Sequence, residues 1–292
     1  DDYLHDRCLL QLAVERIDQR RFRVARFHLE TLIAKHQTEE RRRDLVREHC
    51  LMAALRSAVG ELTLAAEDAR TALRCAREFG SEHHIAYAAT TLCETSLRVG
   101  DMTCAQSLVA LSYTLPEHAI SPLRRQHLRL LECIADFESA DFDTAQTKTK
   151  RLLEALQAYP LERTHAVARA LAEMVAVEQG HGGATPMLDD EFTALPAGLH
   201  YDELAVRVQC YRIRRATARG RTRRALSALQ HALPALLRNG HPLWWAWTLE
   251  ACAMAAALQG DARTCKAAVN LSRQALRRAG CLPTPGQQLN WK

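Results

Sequence analysis

The chain has 292 residues with 39 basic and 34 acidic side chains, and its net charge of +5 is too mild to imply a nucleic-acid partner by itself. Hydrophobic residues make up 48 %, enough for a continuous core, yet no apolar run approaches the roughly 18 residues of a membrane span, so no membrane partner is expected. Ala, Leu, Arg, Glu and Gln dominate and strand-type alternation is almost absent, which argues against a sheet and favours helix throughout.

The start, Asp1-Asp2-Tyr3-Leu4-His5-Asp6, is acidic and then helical in pattern; it does not look like a signal peptide, and without an initial Met the chain reads as a fragment or a processed segment. From there a beat of about 40 residues runs along the sequence. Glycine or a small stand-in recurs at Gly60, Gly100, Ala140, Gly180, Gly220 and Gly260, with Arg20 in register. A second small column follows at Ala25, Ala65, Ala105, Ala145, Ala225 and Cys265, broken by Thr185. A period of this size marks stacked helical hairpins. The expected fold is all-α, a right-handed superhelix of about seven antiparallel hairpins of the tetratricopeptide type.

Each unit divides into a helix A, a tight turn at the small column and a helix B. In the third unit the apolar face Ile85, Ala89, Leu92, Cys93, Leu97 predicts helix A over 83–98. Gly100 suits the left-handed residue that ends it, Asp101 suits the cap of the next helix, and Pro116 closes helix B. The fourth unit repeats this over 123–138 and 145–156, ending at Pro160. The fifth begins regularly over 162–179, then meets Gly180-His181-Gly182-Gly183-Ala184-Thr185-Pro186 and Pro196-Ala197-Gly198. That composition predicts a short helix B over 186–195 and a flexible joint at 180–200, with 1–292 kept as one array because the phase survives across it. The last unit places helices over 243–258 and 262–279.

The ten cysteines form no CxxC pair, and several sit inside apolar helix patterns, which points to reduced structural thiols in an intracellular compartment. The 13 histidines are scattered without a zinc spacing. There is no G-x-S-x-G elbow, no GxxxxGK[ST] and no GxGxxG, so neither an enzyme nor a cofactor is expected.

Two constellations are candidate partner sites. Arg212, Arg214, Arg215, Arg219, Arg221, Arg223 and Arg224 straddle Gly220. Together they read as a docking patch for an acidic or phosphorylated segment, or as a solvated helix end whose stems cover apolar surface. Nucleic acid is not the expected partner, because aromatic residues for stacking are not interleaved. Trp244 and Trp247 share a helix face and Trp245 points elsewhere; an exposed one would be a binding anchor, and packing into the core is the ordinary alternative.

The segments "RSAVGELTLAAEDARTAL" (56–73), "HLRLLECIADFESADFDTA" (127–145), "GGATPMLDDEFTALPAGLHYDELA" (182–205) and "ALSALQHALPALLRNGHPL" (225–243) resemble the C-terminal repeat region of the anaphase-promoting complex subunit 5 family. That resemblance implies a non-catalytic scaffold holding other protein subunits of a large cell-cycle ubiquitin ligase, in nucleus and cytoplasm. The family's N-terminal helical domain has no counterpart in this sequence. The final unit, "WAWTLEACAMAAALQGDARTCKAAVNLSRQALRRAG" (245–280), resembles instead the end of the repeat arrays in bacterial signal-transduction ATPase transcription regulators. Under that alternative the chain would be a sensor in the bacterial cytoplasm, binding a small-molecule effector or an inhibitory protein. A third reading is a peptide adaptor with a groove lined by Tyr87, Gln126 and Tyr211.

Overall fold

The computed structural model describes residues 2–158, 162–180 and 199–281, and among these it holds 13 α-helices and no strand. They are α1 (Asp2–Asp18), α2 (Phe22–Thr38), α3 (Arg42–Val59), α4 (Leu62–Phe79), α5 (Glu82–Val99), α6 (Met102–Thr114), α7 (Pro122–Glu138), α8 (Phe142–Ala158), α9 (Glu162–Glu178), α10 (Leu199–Ala218), α11 (Thr222–Asn239), α12 (Pro242–Leu258) and α13 (Ala262–Ala279). The expected helix over 186–195 lies outside the described residues, as does most of the expected joint at 180–200.

The chain divides into two compact units, Asp1–Ala135 and Asp136–Lys292, with the division inside α7. In the first, α1 packs on α2, α3 on α4 and α5 on α6, while α1 also meets α3 and α3 meets α5. In the second, α8 packs on α9, α10 on α11 and α12 on α13, while α9 meets α10 and α10 meets α12. In both, hairpin partners touch, a B helix also touches the next A helix (α2 with α3, α4 with α5, α8 with α9), and A helices of successive hairpins meet. This is the nearest-neighbour pattern of a helical repeat.

The turns explain why consecutive helices fold back. At Gly60 the chain enters the left-handed region with φ 83°, the Gly60 amide donates to the Ser57 carbonyl and the Glu61 amide to the Arg56 carbonyl. Those bonds satisfy two carbonyls the helix end would leave open. Glu61 then serves as the first flanking residue of α4, its carbonyl accepting from Ala65. The same backbone returns at Gly100–Asp101, Ala140–Asp141, Gly220–Arg221 and Gly260–Asp261. Where the flanking residue is Asp, its side chain adds a cap: Asp101 accepts from the Cys104 amide at 3.0 Å and Asp261 from the Thr264 amide at 3.0 Å. Among the described residues left-handed turns also fall midway between these, because links between hairpins use them at Glu40, Gly80 and Gly240, and Gly280 ends α13 in the same way. After Gly80 and Gly240 the next residue is extended, with ψ of 114° and 117°. Around 120 the turn differs because Pro116 holds Leu115 extended and stops α6 early.

The small column is buried at its five alanines; Cys265 is only half-buried, and Thr185 lies outside the described residues. Ala25, Ala65, Ala105 and Ala145 are fully buried and Ala225 nearly so, at the start of each B helix. In the first unit Ala105 packs with Leu45, Val46, Leu73, Leu92 and Leu108 in one core cluster, and Ala25 with Ala13, Leu29, Met52 and Leu55 in another. All ten cysteines are free, and Cys50, Cys75, Cys93, Cys133 and Cys210 are buried among apolar neighbours. No helix among the described residues is long and apolar enough to cross a membrane.

Candidate functional site

Side chains that leave the core of the A helices recur in phase with the repeat. In the first unit, Arg47 of α3, Tyr87 of α5 and His127 of α7 stand at equivalent positions. Tyr87 is half-buried, and the Arg124 guanidinium lies over its ring at 4.6 Å. That contact is a cation–π pair. Burial pushes the Tyr87 hydroxyl up to about 12 and the neighbouring Cys50 thiol to about 12, so both stay neutral. Burial also lowers Arg124, and its Nη1 is shut off from solvent with no hydrogen-bond partner. The carboxylate nearest this face, Glu94, is engaged by Arg98 at 3.0 Å and by His127 at 3.7 Å.

In the second unit Arg207 of α10 and Trp247 of α12 occupy the corresponding phase. The Arg207 guanidinium pairs with Glu138 at 2.9 Å and lies over the Trp247 ring at 4.1 Å. Beside it, Arg214 meets Glu178 at 3.6 Å and stands 5.3 Å from the Tyr211 ring. Burial pushes the Glu250 carboxyl up to about 7, although Ser272 donates a hydroxyl to it at 3.1 Å.

The arginine run around Gly220 does not form one patch. Arg219, Arg221, Arg223 and Arg224 are exposed at the turn, Arg212 and Arg214 are half-buried, and Arg215 is only 8 % exposed. A helix advances about 100° per residue, so side chains close in sequence on α10 point to different surroundings. Arg212 reaches Gln209 at 3.4 Å. Trp244 is 3 % exposed and stacks on His241 at 4.9 Å, so it is a core residue; Trp245 and Trp247 are half-buried. Gln126 is half-buried, its Oε1 unpartnered. The side chains in contact are thus Arg124 and Tyr87 in one unit, with Arg47 acting on Tyr87 through its charge, and Arg207 with Trp247 and Arg214 with Tyr211 in the other. Tyr87, Tyr211 and Trp247 were legible as candidates. Arg124 and Arg207 were not, although Arg207 stands 40 residues before Trp247 and that spacing was the available signal.

No protein-family model matches the chain, and no curated protein matches it in sequence. The functional reading therefore rests on the residues.

Proposed function

We propose that the chain is a non-catalytic scaffold that binds other protein subunits through the side chains carried by its A helices. One observation supports this best: large basic or aromatic side chains recur at one phase, Arg47, Tyr87 and His127 in the first unit and Arg207 and Trp247 in the second, with the half-buried Val167 of α9 the break. Tyr, Trp and Arg are the residue types that dominate protein interfaces, and a stack of A helices presents them in a row. The hairpins would number about seven and wind right-handed. The four segments similar to the anaphase-promoting complex subunit 5 family make a large ubiquitin ligase the assembly we propose for it, with no active-site residue and no cofactor supplied by this chain.

The test is affinity purification of the full-length protein with identification of what accompanies it. The scaffold reading expects a fixed set of large subunits in constant ratio, ubiquitin-ligase components among them. Recovery of the protein alone, together with a clear thermal shift on adding a small metabolite, would replace it with the sensor reading.

A further inference from the structure

Arg124 sits in an unfavourable place. It is the third residue of α7, whose amide end carries the positive pole of the helix dipole. It is partly desolvated, and among the described residues no carboxylate pairs with it. Arg47 lies within charge range of the same Tyr87 hydroxyl as Arg124; Arg47 and Arg43 are exposed on α3 and take part in no ion pair among the described residues, and His83 and His84 stand in the first turn of α5. Burial, and after it the nearby His83, Arg43 and Arg47, holds the His84 imidazole below its ordinary range. The two carboxylates on this face are already engaged, Asp44 by Arg41 at 2.6 Å and Glu94 by Arg98 and His127. Uncompensated cations around an aromatic ring invite an anion, because a guanidinium offers paired donors to a carboxylate or phosphate.

We propose that Arg124 and Arg47, with the Tyr87 ring as a wall, form a seat for an anionic side chain, carboxylate or phosphate, of a peptide segment on the partner. This rests on the reading of the chain as a protein-binding array and names the chemistry of what one part of it takes. The positive charge is left without an internal partner because the partner's anion supplies it on binding; the free protein carries the cost.

The seat is tested on the full chain by fluorescence anisotropy with three labelled peptides: alternating Glu and Gly, the same with phosphoserine for Glu, and the same with Lys. Binding of an acidic peptide and not of the Lys peptide is expected. Whichever acidic peptide binds more tightly identifies carboxylate or phosphate. Arg124→Gln is expected to weaken that binding about tenfold or more while leaving the thermal midpoint unchanged or raising it by about 2 °C. A purely structural Arg124 would lower the midpoint on substitution. Should Arg124→Gln fail to fold, Arg47→Gln, at an exposed position, decides: weaker binding supports the seat and unchanged binding overturns it. Equal binding of acidic and Lys peptides by the unmodified chain also overturns it. The scaffold reading fails separately, on a purification of the unmodified protein that brings down no partner.

Discussion

Among the described residues, the backbone enters the left-handed region at eight glycines and at Arg20, Glu40 and Ala140. For a residue with a β-carbon that conformation costs about 1 kcal/mol. Ala140→Gly should therefore stabilise the protein by about 0.5–1 kcal/mol, less whatever the unfolded chain gains in freedom, as read from the midpoint of urea unfolding. Gly60→Ala should have the opposite sign. Glu250 offers a pH-dependent test. Its carboxyl takes up a proton near pH 7 when folded, against an ordinary value of 4.5, so the folded state binds more protons between those limits. Stability contributed in this way is present at pH 4.5 and below and is lost as pH rises through 7. Glu250→Gln should flatten that dependence and raise stability at pH 8 by about 1–3 kcal/mol, measured by thermal unfolding across the pH range. Asp6 has the reverse sign. Burial works to raise its carboxyl, but hydrogen bonds from Lys35 and His36 outweigh this and hold it at about 2. Its contribution is complete above about pH 4 and disappears as pH falls through 2. Asp6→Asn should abolish that acid limb of the unfolding profile.

The helix and its turn were the most legible element. Small residues at a fixed spacing announced the hairpins, since a close crossing of helices excludes a large side chain whatever its neighbours are. Ala105 is fully buried at the start of α6, so Ala105→Leu should cost about 1–3 kcal/mol by overpacking, seen as a lower urea midpoint. The second set of turns was missed. Gly80, Gly240 and Gly280 were in the sequence, but Glu40 in the same role broke the column, and a left-handed glutamate leaves no compositional trace. The arginines near Gly220 were legible as a charge run and not as separate environments. Burial of Arg215 depends on which side of α10 meets its neighbours, and the run of arginines masks the apolar period that would have revealed it. Arg124 was hidden for a related reason. Its environment comes from Tyr87 and Cys50, on two other helices, and no local pattern records that meeting.

At the scale of the whole molecule, the chain spends its sequence on repeated packing. Two units each bury their alanine column and stack their A helices, and each leaves one row of basic and aromatic side chains partly open. The rows differ in electrostatic state. Arg207 and Arg214 in the second unit are matched by Glu138 and Glu178, whereas Arg47 and Arg124 in the first have no acidic counterpart among the described residues. A mild net charge of +5 hides this difference. The A-helix row as the working surface is tested most directly by site-specific photo-crosslinking in the full-length protein purified with its partners. A photoreactive residue replaces His127 on α7 in one variant and the exposed Glu67 on α4 in another. Crosslinks to a partner subunit from position 127 and none from position 67 are the expected result; crosslinks confined to position 67 would contradict it.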